Sequence, residues 1–279
     1  MDRVLVGLLA LVLTACAGSG AEPQPNVEPS SSPAAATSTP TKTSAPRLAP
    51  PKVRYAKAVA ALRRSDPLEY SYLLSDSGGA LIHSIGSWDP ETGSASLDIL
   101  FSGNPAKPAE TRVGGNLILV GDLWYSELRN HCWIRADRDV LAVRYGLTED
   151  TLGVTAADAL PEAQVTGVSP SSADVIEVDF ELNRVLAMMG LPDIDPKGKR
   201  VPGQVTVLRG RVEKWTIEGA DLADSLAQGV SSQRAKALSY LELEMELFHG
   251  PTDVIRRPSR DELAPDSRTP CQAAAKRQV

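Results

Sequence analysis

The stretch Leu238-Ser239-Tyr240-Leu241-Glu242-Leu243-Glu244-Met245-Glu246-Leu247-Phe248 decides the fold class. Leu241, Leu243, Met245 and Leu247 alternate with Glu242, Glu244 and Glu246. Successive side chains of a strand point to opposite faces, so the pattern predicts a strand over 238–248 with one dry and one wet face. Antiparallel sheets tolerate a wet face, whereas parallel strands, covered on both sides, read as unbroken apolar runs. The three glutamates read as a solvated face. A calcium site needs about six to eight oxygens converging from loops, which one stripe does not supply.

The same period extends toward the N-terminus. Gln204–Leu208 and Val212–Glu218 flank Arg209-Gly210-Arg211, a tight hairpin. Over 174–180, Ile176, Val178 and Phe180 alternate with Glu177 and Asp179, and 165–168 forms a further strand. Leu182, Val185, Leu186 and Met189 then switch to helical spacing, with Gly190 as cap and Pro192 beyond it. Strands are expected over 69–75, 80–88 and 96–101. Two more, over 113–120 and 123–128, flank Gly121-Asp122, and a short one covers 132–135. Tyr55, Val59 and Leu62 predict a first helix over 53–64, ended by Asp66-Pro67. Thr148 is expected to cap a short helix, 156–160 to hold a helical turn, and 221–228 to form a helix. The reading is one α+β domain over 52–258, a large antiparallel meander with helices packed on one face. A polar tail, 259–279, follows.

The N-terminus is an export signal. Arg3 precedes Val4–Leu13, an apolar run whose helical length of about 15 Å is half of what a membrane span needs. Such a run is a signal segment over 1–15. Leu13-Thr14-Ala15-Cys16 matches the bacterial lipobox, so Cys16 is expected to carry acyl groups such as palmitate. Each buried CH2 contributes about 0.8 kcal/mol to anchoring. This places the protein on the extracytoplasmic face of a cell membrane. Residues 16–51 form the lipidated cysteine and a linker dominated by Pro, Ser, Thr and Ala, a composition that buries too little apolar surface to fold. Lipidation leaves two of the three cysteines. In an oxidising envelope Cys132 and Cys271 are expected to form a disulfide.

Constellations for catalysis are scarce. His83, His131 and His249 show no i, i+3 or i, i+4 spacing for a helical zinc motif. There is no G-x-S-x-G elbow and no phosphate loop. His131 and Cys132 are neighbours on a strand and point apart. No catalytic residue, cofactor or metal is assigned, and a non-enzyme is expected. The formal net charge of −6 argues against nucleic acid as a partner. The dry face is the more informative feature. With aromatic residues at 5%, the space between sheet and helices is either a filled core or a cavity for a hydrocarbon. The candidate lining residues are Leu117, Leu119, Ile176, Val178, Phe180, Leu186, Met189, Leu241, Leu243, Met245 and Leu247. Burying an acyl chain of about fourteen carbons contributes roughly 10 kcal/mol gross.

The order of these features resembles the LppX/LprG-like lipoproteins (LppX, LprA, LprF, LprG) of mycobacteria and related actinobacteria. The resemblance covers roughly 53–258 besides the lipobox. A helix leads directly into the strand Glu69–Ser75. The hairpin Gly114-Gly115-Asn116-Leu117-Ile118-Leu119-Val120-Gly121-Asp122-Leu123-Trp124-Tyr125 is soon followed by Trp133. Val201-Pro202 precedes a strand, a Gly turn, the Trp215 strand, the 238–248 strand, Val254 and Pro258. The resemblance implies a half-barrel with helices on its concave side. It also implies a cavity that binds an acylated lipid or lipoglycan for envelope transport, and no catalytic role. The chain departs from the pattern in extra residues around 221–237 and in the tail with Cys271. The alternative function is a non-catalytic interaction or sensory module with an envelope protein partner.

Overall fold

The computed structural model describes residues 48–102, 112–128, 132–191, 194, 198–227, 229–252, 254–266, 269 and 271–272. The signal segment, Cys16, the linker up to residue 47, His131, Pro192 and Gln228 lie outside the described residues.

Eleven strands form one open sheet: β1 (Leu68–Asp76), β2 (Gly79–Asp89), β3 (Ser94–Ser102), β4 (Arg112–Val120), β5 (Leu123–Leu128), β6 (Cys132–Ala136), β7 (Gln164–Val168), β8 (Val175–Glu181), β9 (Arg200–Leu208), β10 (Arg211–Glu218) and β11 (Glu242–Phe248). Their order is β6-β5-β4-β3-β2-β1-β11-β10-β9-β8-β7, and every pairing is antiparallel. The chain draws two meanders, β1 to β6 and β7 to β10, and the last strand joins them. β11 pairs with β1 through Tyr70↔Leu247, Tyr72↔Met245 and Leu74↔Leu243. It pairs with β10 through Trp215↔Met245 and Ile217↔Leu243. One row of the inner face therefore runs Ile176–Val205–Trp215–Met245–Tyr72–Ser84–Ile99 across seven strands.

The helices are α1 (Pro51–Leu62), α2 (Arg138–Tyr145), α3 (Leu182–Met188), α4 (Gly219–Leu226) and α5 (Ser232–Leu238). α1 packs on β7, β9 and β10, α3 on β8 and β9, and α4 on β9, β10 and α5. The fold is thus an α+β half-barrel with helices on the inner face of an antiparallel sheet. One apolar core contains three buried tryptophans, Trp88, Trp124 and Trp215, with Tyr70, Tyr72 and Phe180.

Several expectations need correction. The strand expected over 238–248 starts at Glu242, because α5 continues to Leu238 and Leu241 is half-buried. α5 starts where the Ser231 hydroxyl accepts from the Arg234 N–H. α2 is a helix the hydrophobic period did not reveal. Its start is fixed by the Asp137 carboxylate, which accepts from the N–H groups of Asp139 and Val140, and its end by Gly146 in the left-handed region. Thr148 caps no helix: its hydroxyl and that of Thr151 bond each other's backbone N–H in a turn. β9 begins at Arg200, so Val201 and Pro202 belong to it.

The segment 147–160 covers β1, burying Leu147, Leu152, Val154 and Leu160, and the helical turn expected over 156–160 is present as a 3-10 turn at Ala156–Asp158. Gly153 makes the closest approach, with φ +78° and a hypothetical Cβ 2.7 Å from the Tyr72 ring. The β6 edge is covered by the C-terminal segment. Leu263 bridges Trp133 in parallel, the Ala264 N–H donates to the Trp133 carbonyl at 2.8 Å, and Cys132 is disulfide-bonded to Cys271.

Two outcomes follow in urea unfolding. Gly153→Ala destabilises by more than about 2 kcal/mol, since both its backbone angle and the Tyr72 ring oppose a side chain. Replacing Cys132 and Cys271 by alanine costs about 2–5 kcal/mol, because the bridge closes a long loop of the unfolded chain.

Candidate functional site

The inner face carries polar atoms in an otherwise apolar setting. Three buried phenols fasten the covering segments to backbone carbonyls. Tyr55 donates to Leu160 at 2.6 Å, Tyr70 to Leu152 at 2.9 Å and Tyr72 to Met188 at 2.7 Å. Desolvation pushes all three hydroxyls above their ordinary value; the neighbouring Tyr72 adds to this at Tyr70, and Asp150 at Tyr72. They remain donors at any physiological pH. Among the described residues, the Ser84 hydroxyl and the indole Nε1 of Trp88, Trp124 and Trp215 are buried without a hydrogen-bond partner. Each such donor costs about 1–3 kcal/mol relative to a paired one.

Of the expected lining residues, Leu117, Leu119, Ile176, Val178, Phe180, Leu186, Met189, Leu243, Met245 and Leu247 are buried in the main core, while Leu241 is half-buried at its margin. They are brought together, as the alternation and the helical stripe implied, and they touch one another through the core. Clefts formed by described residues lie elsewhere. One of these holds about 700 Å3 between α1 and the segment entering β7. That is within the usual range for small-ligand sites.

One wall of this groove is a helix stripe. Lys52, Tyr55, Ala56, Val59, Ala60 and Arg63 line it, at spacings of i, i+3, i+4, i+7, i+8 and i+11, which share one face. Pro51 at the first turn and an alanine-rich interior favour helix there. The facing wall is Pro161, Glu162, Ala163, Gln164 and Val165. Tyr55 and Val59 are also core residues, and Ala163 and Val165 pack against that core. The groove floor is therefore the exposed margin of the core. Its charged groups sit at the ends: Arg63 pairs with Asp158 at 3.4 Å and Glu162 with Arg184 at 3.3 Å, while Lys52 has no ion pair among the described residues.

The sequence assigned Tyr55 and Val59 to the core but did not reveal the groove. Its signal is the pair Ala56 and Ala60, which are too small to reach the opposing wall. No group of three or more His, Cys, Asp or Glu side chains suited to a metal occurs among the described residues. Among them, no helix is long and apolar enough to cross a membrane.

No protein-family model matches the chain, and no curated protein matches it. Among solved structures, the chain is similar to LprF from Mycobacterium bovis, at 8% identity, over 75% of this chain and 97% of that one, with a TM-score of 0.44. It is also similar to the Mycobacterium tuberculosis lipoprotein LppX, at 10% identity, over 73% of this chain and 97% of that one, with a TM-score of 0.39. Both belong to the group that the sequence resembles.

The buried phenols set an alkaline limit. In the unfolded chain Tyr55, Tyr70 and Tyr72 release their protons near 10.0, whereas in the fold they retain them. Their contribution is intact below that pH and is lost as pH rises above it. Stability measured by denaturant titration falls steeply above about pH 10, and more gently when Tyr55, Tyr70 and Tyr72 are replaced by phenylalanine.

Proposed function

We propose that the protein is a membrane-tethered, extracytoplasmic, non-catalytic lipid-binding module that takes an acylated lipid or lipoglycan and passes it within the cell envelope. The single observation behind this reading is the groove between α1 and β7, whose floor is continuous with the apolar core. A hydrocarbon seated there extends the core without first emptying it. The inner face itself, lined by Ile176, Val178, Phe180, Leu243, Met245 and Leu247, becomes available to a longer chain if α1 moves away from β7. The unpaired Ser84 hydroxyl and the three indole N–H groups support this: polar atoms of a guest give them partners that the closed core lacks. Anchoring through acyl groups on Cys16 keeps such a module within reach of membrane lipids. The fold neighbour LppX is itself a lipoprotein.

A second reading has its own observation. β7 ends the sheet, and its outer edge is open to strand addition by a protein partner of an envelope complex.

The test is binding of a fluorescent fatty acid to the purified protein. Saturable binding is expected, displaced by unlabelled palmitate. Ala60→Trp, which fills the groove from an only partly buried helix position, lowers affinity at least about tenfold, while loss of folding stability stays under about 1 kcal/mol. No saturable binding, with one stoichiometric protein partner captured through β7, selects the second reading.

A further inference from the structure

α1 and the two residues after it carry five cations, Lys52, Arg54, Lys57, Arg63 and Arg64, and no carboxylate, in a chain of formal net charge −6. Two are engaged: Arg54 donates to the Ala173 carbonyl at 2.6 Å, and Arg63 pairs with Asp158. The side chains of Lys52, Lys57 and Arg64 make no ion pair or hydrogen bond among the described residues. Val53, Lys57, Ala61 and Arg64 are exposed and follow at i, i+4, i+8 and i+11, so they form one face of the helix. This face is distinct from the groove stripe.

The β9–β10 turn adds to it. Arg209, Gly210 and Arg211 are exposed, and neither arginine side chain has an ion pair or hydrogen bond among the described residues. Arg64 and Arg211 line one cleft of about 400 Å3, together with Ser65, Asp66, His249 and Gly250. The His249 Nε2–H donates to the Val212 carbonyl at 2.8 Å, which fixes the ring. Large apolar side chains stand at the same end of the sheet: Leu208 is 43% exposed, Phe248 48% and Val53 43%. The pairs Leu208↔Arg211 and Glu69↔Phe248 place the ends of β9 and β11 together with the starts of β10 and β1. Asp66, Glu69 and Glu213 are carboxylates at this end without an ion pair among the described residues. Farther along the same end, the β2–β3 turn carries Asp89 and Glu91, so the cations gather where α1 meets the β9–β10 turn.

We infer that this rim, the outer face of α1 with the β9–β10 turn, docks on an anionic lipid bilayer. Unpaired arginines and lysines interleaved with exposed Leu, Phe and Val side chains are the chemistry of an interfacial surface: cations attract the acidic headgroups while apolar side chains enter the boundary below them. A patch for an acidic protein would not need the apolar side chains spread along the same edge. The chain outside the described residues also favours a bilayer. Residues 1–47 join the domain through Leu48 to Pro50, directly before α1, and that segment carries the lipobox at Cys16. The rim that meets the tether is thus the rim with the complementary charge. The inference is independent of any ligand in the groove.

The test uses the processed chain, residues 16–279, carrying Cys16→Ser so that no acyl anchor contributes. It is floated with vesicles of phosphatidylcholine, alone or mixed with phosphatidylglycerol. Flotation is expected with the mixed vesicles alone and is abolished at about 1 M salt. Combining Lys57→Glu, Arg64→Glu and Arg211→Glu weakens it more than about tenfold. Leu208→Ala with Phe248→Ala weakens it severalfold while keeping the preference for phosphatidylglycerol. Arg234→Glu with Lys236→Glu, on α5, leaves it unchanged. Equal flotation with both vesicles, none with either, or parental binding by the triple variant with native circular dichroism overturns the inference.

Discussion

The architecture depends on one insertion. β11, the last strand of the chain, lies between β1 and β10, two strands that have no pairing with each other. Met245 meets Tyr72 on one side and Trp215 on the other, and all three are fully buried. Without that strand the molecule is two meanders with exposed apolar edges. With it, the inner face is continuous from Ile176 to Ile99. Cross-strand pairs of large side chains contribute about 0.2–1 kcal/mol each beyond burial. β11 makes them on both sides, and its glutamates keep the outer face wet. Lys214 bridges Glu244 at 2.6 Å and Glu246 at 3.2 Å there, which relieves the repulsion along the carboxylate row.

Closing the sheet at its centre leaves its two ends to be managed differently. The β6 end is sealed by the chain itself, through the Trp133–Leu263 bridge and the Cys132–Cys271 disulfide. The β7 end is bordered by α1, which leaves a groove rather than a contact where Ala56 and Ala60 face 161–165. Exposed sheet edges invite pairing with other chains, so this difference concentrates access at one place. That place adjoins α1, the first helix among the described residues. The groove and the basic rim use two faces of the same helix.

What the sequence disclosed follows from the range of each interaction. The alternation in β11, β8 and the β4–β5 hairpin is local, so strand identity and the buried side of each strand were readable. The stripe Leu182, Val185, Leu186 and Met189 likewise announced α3. Leu241 was misassigned because alternation by itself does not show where α5 stops. α2 and α5 escaped because their definition rests on caps, Asp137 with Gly146 and Ser231, rather than on an apolar stripe. The groove was not legible at all. It requires α1 and the 161–165 segment to meet across about a hundred residues of chain, and its emptiness comes from two alanines that read as ordinary helix formers. Within the segment 147–160 over Tyr70 and Tyr72 the helical turn at 156–158 was legible and the rest was not, since its hydrogen bonds are made to phenols far away in sequence.

The central claim is that an acyl ligand lies at the margin of the core, between α1 and β7, and not within the packed centre of the sheet. Amide hydrogen exchange with and without palmitate measures this directly. Slower exchange is expected in residues 52–63 and 161–168, with little change in β4 and β11. Protection centred on Leu117, Leu119, Leu243 and Met245, or no change anywhere at saturating palmitate, contradicts it.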